Sequence, residues 1–243
     1  MAQERGWLLL TNDDGIEAVG LETLVKALHD EGYPVAVLAP SGNHSATGMR
    51  INLMKPMAYR PRDDLVERWG LNPHTTPVHL FELDGTPCDT MIVALDGGLN
   101  HLVPGVHPQM VVSGVNLGPN LSQDSYHSGT MGAAREAGLY GVPAIAASFT
   151  SFDPVGMERA VEATLDIVAA AAAVLPVKAW NLARPKGALE TTYFTTWPKQ
   201  SADEPWRDHP ERALLNAFCN GDLMLNINAP ASWNGSWATT RSV

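Results

Sequence analysis

The apolar run Trp7-Leu8-Leu9-Leu10 stops at Thr11-Asn12-Asp13-Asp14-Gly15, and this junction constrains the fold more than any other segment. A short continuous apolar run reads as a strand buried on both faces, as in a parallel sheet covered by helices. Ligands of open α/β sheets bind beyond the carboxyl ends of such strands, so Asp13 and Asp14 stand where an α/β enzyme would hold a metal. Neighbouring side chains of a regular strand point to opposite faces. Both aspartates can therefore serve one site only if the chain turns here, which Gly15 permits. The alternative is an Asx-rich turn capping the next helix, and the pentapeptide alone is compatible with either.

The rest of the chain alternates strand and helix. Leu21, Leu24, Val25 and Leu28 recur at helical spacing and predict an amphipathic helix ending near Gly32. Val35 to Leu38, closed by Ala39-Pro40, predicts a second strand, and Leu80 to Leu83 a third. Thr86-Pro87-Cys88-Asp89 supplies a cap, a proline and a first-turn acid for a helix with Cys88, Met91, Ile92 and Leu95 on one face. Met110-Val111-Val112 and Ala144 to Ala147 predict two further buried strands, with a small-residue helix over 132–140 between them. A long helix follows from Asp153-Pro154, carrying Met157, Ala160, Val161, Leu165, Val168, Ala172 and Leu175. Strands separated by helices predict an α/β fold with a mostly parallel sheet wound on both sides. Two stretches break the pattern. Lys55 to Pro77 reads as a long loop or lid, and Lys178 to Asp222 as a loop-rich insertion that packs through Trp180, Trp197 and Trp206.

With 243 residues, 45% of them hydrophobic, the chain has material for a single domain over 1–243. A balance of 16 Lys plus Arg against 26 Asp plus Glu gives a formal net charge of −10, which argues against a nucleic-acid polymer as partner. Met1 to Arg5 is polar, without the apolar stretch of a secretory signal, and the longest apolar segment, Ile167 to Leu175, is too short to span a bilayer. A cytoplasmic protein without membrane contact is expected. Cys88 and Cys219 make neither a disulfide framework nor a thiolate zinc site. A phosphate-bearing substrate would need a local attractor in so acidic a chain: a divalent cation held by carboxylates, together with helix N-termini.

Loops of the right chemistry line up at the predicted strand ends. After Asn12 to Gly15 comes Pro40 to Gly48, rich in hydroxyl and amide side chains, then Ser113 to Asn120, and then His127-Ser128-Gly129-Thr130 leading into a helix. In a parallel sheet all four share one edge. Two aspartates, a serine and an asparagine are oxygen ligands suited to Mg²⁺, Mn²⁺ or Ca²⁺.

These loops carry a resemblance. Asn12-Asp13-Asp14-Gly15-Ile16, Ser45-Ala46-Thr47-Gly48, Gly85-Thr86-Pro87 with Asp89, Ser113 to Asn116 with Gly118-Pro119-Asn120, and His127 to Thr130 together resemble the SurE (survival protein E) nucleotidase family. Leu225-Asn226-Ile227-Asn228-Ala229-Pro230 is similar to a later family segment. The resemblance implies a Rossmann-like three-layer α/β/α sandwich and a metal-dependent phosphomonoesterase acting on 5′- and 3′-nucleotides. It further implies one divalent metal ion on Asp13, Asp14, Ser45 and Asn116, and a phosphate among Asn120, Ser128, Gly129 and Thr130. A segment that the resemblance implies after Thr240-Arg241 is missing from this sequence, and 178–222 has no clear counterpart. A homodimer is expected, with Trp233 and Trp237 either packing on their own domain or marking an interface.

The proposed chemistry is hydrolysis of a nucleoside monophosphate or another small phosphate ester. Asp13 or Asp14 would accept the proton of water, and His127 would donate one to the leaving oxygen. Simpler readings stand beside these roles: His127 and His44 as loop residues, Asp89 as a helix acid, Cys88 as core, and Asn116 as the holder of a turn. An aspartyl-phosphate route as in haloacid dehalogenase-like phosphatases is disfavoured by Asp-Asp in place of Asp-x-Asp. A dinucleotide oxidoreductase is disfavoured by the absence of Gly-x-Gly-x-x-Gly after the first strand. The remaining alternative is a non-catalytic nucleotide-binding protein that retains the pocket.

Overall fold

Leu8, Leu9 and Leu10 have no exposed surface because their strand, β1 (Trp7–Thr11), runs through the middle of a seven-stranded sheet. The computed structural model describes residues 5–175, 177, 210–219 and 221–239. After β1 come α1 (Val19–Asp30), β2 (Val35–Pro40), β3 (Tyr59–Pro61), α2 (Asp63–Arg68), β4 (Val78–Leu83), α3 (Pro87–Val93) and the short α4 (Leu99–Leu102). The second half holds β5 (Pro108–Leu117), α5 (Asp124–His127), α6 (Gly129–Leu139), β6 (Ala144–Phe149), α7 (Met157–Val174), α8 (Pro210–Cys219) and β7 (Met224–Ala229).

The strands lie in the order β3-β4-β2-β1-β5-β6-β7, and every pairing is parallel except that of β3 with β4. From β1 the chain builds outward through β2 and β4, then crosses back to β5 and builds the other way. The direction of winding therefore switches between β1 and β5, which opens a crevice at the carboxyl ends of these two strands.

Alternation along the strands assigns the two layers. Leu8, Leu10, Val112 and Ile145 face one side, where α1 and α7 contribute Leu21, Leu24, Met157, Val161 and Val168 to the core. Leu9, Val111 and Ala146 face the other, against Met91 of α3 and Met131, Ala133 and Ala134 of α6. The result is the three-layer α/β arrangement that the alternation predicts. α3 begins with a complete capping box, Thr86 and Asp89 bonding each other's backbone. Among the described residues no helix is long and apolar enough to cross a membrane.

Three expectations need amending. β5 does not end at Val112: after a register shift between Ser113 and Asn116 it continues to Leu117, so part of the predicted loop is strand. Residues 59–68, inside the stretch that reads as a loop or lid, form β3 and α2 at the sheet edge. All of β3 is exposed and α2 buries only Leu65, so neither leaves a periodic apolar signature. Within 178–222, α8 is helical and its Phe218 reaches the core. Trp180, Trp197 and Trp206 lie outside the described residues. At the C-terminal side, Trp237 donates its indole N–H to Asp166 of α7 (2.9 Å) and lies 5.4 Å from the Trp233 ring, so both tryptophans pack on their own chain.

Charge holds what apolar burial does not at the β3 edge. The buried Arg62 guanidinium bonds Glu82 on β4 (2.7 Å), Glu17 before α1 (2.6 Å) and both oxygens of Asp64 (2.8 Å each). Arg62→Met is expected to cost about 2–3 kcal/mol in urea unfolding, because Glu82 keeps its buried charge and loses its main partner. Arg62 also holds the Glu17 and Asp64 carboxyls below the usual carboxylate range. Their stabilisation is present above about pH 4 and is lost as pH falls through the lowered values. The methionine variant should show a correspondingly shallower loss of stability in acid.

Candidate active site

The turn after β1 is built by its own residues. Asn12 spans it, donating from Nδ2 to the Gly15 carbonyl (2.9 Å) and accepting the Gly15 N–H at Oδ1 (3.2 Å). Gly15 has φ of +104°, a conformation that favours glycine. Ile16 N–H donates to the Pro40 carbonyl at 2.8 Å, tying the turn to the end of β2. Asp13 and Asp14 are thereby carried into the crevice between β1 and β5.

Asp13 is 3% exposed and lies across the start of α6. Its Oδ2 accepts the Gly129 N–H (3.1 Å) and its Oδ1 accepts the Thr130 hydroxyl (2.5 Å). Donors that the sequence associates with a phosphate here face a carboxylate, an anion that suits a helix N-terminus for the same reason. Asp14 is half-buried and held by longer bonds, Leu117 N–H and Asn43 Nδ2 both at 3.3 Å, with the Ser45 side chain as a further donor. Burial pushes both carboxyls above their usual range. For Asp13 the Thr130 bond opposes the rise and the Asp14 charge adds to it; for Asp14 the bonds from Leu117, Ser45 and Asn43 oppose it. No lysine or arginine pairs with either aspartate among the described residues.

The remaining sequence candidates converge unevenly. Ser45 is exposed on the loop after β2, and His44 N–H bonds the Asp13 carbonyl at 2.6 Å. Asn116, beyond the β5 bulge, uses Nδ2 to hold the Gly118 carbonyl (2.8 Å), the turn-holding role that its sequence context allows; its Oδ1 accepts no hydrogen bond among the described residues. Ser128 caps α6, its hydroxyl oxygen accepting from Met131 N–H at 3.1 Å. His127 ends α5 with its side chain in solvent, while its carbonyl accepts Gly48 N–H at 2.7 Å. Asn120 is buried, its Nδ2 donating to Ser148 Oγ at 2.8 Å. Among the described residues no three His, Cys, Asp or Glu side chains converge, so a cation held here would draw on neutral oxygen donors as well as the two aspartates.

A family model described as "Survival protein SurE" matches residues 8–243. The chain belongs to the SurE family. The match runs through 178–222, the stretch without a clear counterpart by motif. A protein named 5′-nucleotidase SurE from Desulfitobacterium hafniense (strain DSM 10664 / DCB-2) is 39% identical over 155 residues, covering 64% of this chain and 55% of the relative. One of the same name from Anaeromyxobacter sp. (strain Fw109-5) is 35% identical over 190 residues, covering 77% and 67%. The crystal structure of the SurE protein from Aquifex aeolicus superposes with a TM-score of 0.56 at 30% identity, covering 69% of this chain and 60% of that one. The part of the chain that matches thus spans little more than half the length of the first of these relatives.

The SurE motifs do not by themselves disclose what supports them. Asn116, Ser148 and Asn228 stand in one row across β5, β6 and β7. Asn228 Oδ1 accepts the Asn120 N–H (2.8 Å), while Asn226 and Asn228 both donate to the Asn120 carbonyl (2.9 and 3.2 Å). The Leu225 to Pro230 segment therefore acts as the brace of the Asn120 loop. Parallel register would have found the row, had the adjacency of β5, β6 and β7 been known.

Gly129 sits so close that a Cβ there would lie 2.7 Å from Asp13 Cβ and 3.0 Å from Thr47 Oγ1. Helix propensity alone would make Gly129→Ala stabilising by up to about 1 kcal/mol. The contact outweighs this, and a net loss of about 1–3 kcal/mol is expected in thermal or urea unfolding. A stabilised alanine variant would show that Asp13 does not lie against α6.

Proposed function

We propose that this SurE-family chain is a metal-dependent phosphomonoesterase that hydrolyses nucleoside 5′-monophosphates, and 3′-monophosphates as a second class, to nucleoside and phosphate. The observation that carries the reading is the pair Asp13 and Asp14, both with raised carboxyl pKa and neither with a cationic side chain beside it. Two adjacent carboxylates in that condition are relieved by a proton or by a cation from solution, and their neighbouring neutral oxygen donors favour the cation. The Desulfitobacterium and Anaeromyxobacter relatives carry the name 5′-nucleotidase, which supports the reaction class.

The donors suit one hard divalent cation, Mg²⁺, Mn²⁺ or Ca²⁺. Asp13, Asp14, Ser45 and Asn116 would hold it, since each carboxylate oxygen of Asp13 keeps a lone pair beyond the bond it already accepts. When bound, the cation supplies positive charge for the phosphoryl oxygens and makes water a stronger acid. Asp14, less buried and more loosely held than Asp13, accepts the proton of the attacking water. His127 donates a proton to the leaving oxygen. Ser128 caps α6 with its oxygen and keeps its proton for a phosphate oxygen, and Asn120 is assigned to the same corner, whereas the Gly129 N–H and the Thr130 hydroxyl are already given to Asp13. Those two bonds fix the position of Asp13.

Asp14→Asn should lower phosphate release from a panel of nucleoside monophosphates at least about a hundredfold while leaving the unfolding midpoint near that of the parent, since a neutral amide is a poor ligand for a hard cation. Asp13→Asn should lose as much activity, with some stability. Activity that survives either change, or excess chelator, would remove the metal reading. Assembly is proposed to be a homodimer: Trp237 packs on its own chain yet stays 42% exposed, which leaves apolar surface for a second copy. Sedimentation equilibrium should give twice the chain mass of 26.1 kDa, and a mass at the single-chain value would reject the dimer.

A further inference from the structure

Asp89 makes more bonds than a helix cap requires. The capping box needs its Oδ2 to accept Thr86 N–H, which it does at 2.8 Å. The same carboxylate, 1% exposed, also accepts Asn52 N–H on Oδ1 (2.9 Å) and Asn52 Nδ2 on Oδ2 (2.7 Å). Asn52 belongs to the strap 41–58 that leaves β2 and returns at β3. Along its course the strap brings Ser45 to Asp14, hangs Gly48 N–H on the His127 carbonyl (2.7 Å), and hangs the Arg50 carbonyl on the Thr86 hydroxyl (2.6 Å). Gly48 sits directly on α6, its carbonyl oxygen 2.2 Å from where a Cβ on Gly132 would be.

Apolar burial does little to hold this strap: only Met57, near its far end, packs against the core. Met49, Ile51, Leu53 and Met54 are 41% or more exposed, Met54 fully so. A segment that buries so little is kept in place by its hydrogen bonds, and the charged acceptor Asp89 takes two of the strongest available.

We infer that Asp89 is a positioning residue for the metal site, acting through Asn52 to hold the strap that places Ser45 beside Asp14. This rests on the proposed cation site, and it assigns to a helix-capping acid a role in binding. Asn52 makes no bond to Ser45 itself, so loosening the strap is expected to lower metal affinity about tenfold, the low end of what loss of a direct outer-shell partner costs.

The test uses Asn52→Ala, which leaves the Asp89 to Thr86 cap intact and removes no proposed ligand. Calorimetric titration of the whole chain with Mn²⁺ should show affinity lowered about tenfold by Asn52→Ala. The unfolding midpoint should shift little. Asp89→Asn should lower affinity as well, and Ser45→Ala combined with Asn52→Ala should be no worse than the more damaging single change, because both act on one contact. Losses that add in the double variant, or an unchanged affinity in Asn52→Ala, would overturn the inference. A second readout does not depend on metal. Trypsin should cleave after Arg50 about tenfold faster in Asn52→Ala, Lys55 being protected by the following Pro56. Equal cleavage rates would overturn the clamp even if Mn²⁺ binds. If the parent binds no Mn²⁺, or binds it equally after Asp13→Asn and Asp14→Asn, the cation site fails, and the proteolysis alone decides whether Asp89 holds the strap.

Discussion

A buried carboxylate without a cation is costly unless fixed dipoles receive it, and α6 begins where it can receive Asp13. Much of the site follows from that placement. Position 129 must be glycine-sized because Asp13 occupies the space where a Cβ would go, and position 130 offers a hydroxyl to the second carboxylate oxygen. The β1 turn must be tight enough to hold Asp13 over the helix, which Asn12 and Gly15 achieve between them. The solution is only local: Asp14, one residue on, has no helix end of its own and relies on three weaker donors. Asp13 is fixed in position by the fold although burial still raises its carboxyl, and Asp14 is held more loosely.

The layers are legible in the sequence because parallel strands covered on both faces leave short apolar runs, and helices between them keep a 3.6-residue period. The runs at Leu8, Val35 and Val111 all became central strands. The continuation of β5 is not legible, since Ser113-Gly114-Val115-Asn116 has the composition of a loop. Gly114 passes within van der Waals distance of the β6 backbone, where a Cβ would be 2.3 Å from the Ala147 oxygen. The edge elements are equally silent, because charge pairs carry no periodicity. What looked like a lid turned out to contain a brace, Arg62 linking β4 to Glu17 just beyond the aspartate turn.

For the site, the strand-end rule was sufficient to collect the loops on one edge, and the family motifs name candidates within them. Neither indicates which loop touches which. That Leu117 donates to Asp14, or that Asn228 holds Asn120, depends on lateral strand order. The order follows from the crossing between β4 and β5, a tertiary choice that no local pattern records. The double role of Asp89 is hidden for a different reason: a capping acid explains itself, so nothing in the sequence asks for a second partner.

The brace from β7 has a consequence in time. Asn226 and Asn228 follow Asn120 by more than a hundred positions, and they supply most of the bonds to its backbone. On a ribosome the chain emerges from its N-terminus, at about 5–20 residues per second. β1, β2, β4, β5 and β6 can pair while β7 is still unmade, leaving the loop above them without its anchor for several seconds. The Asn120 loop is thus the part of this sheet edge whose backbone partners are made last.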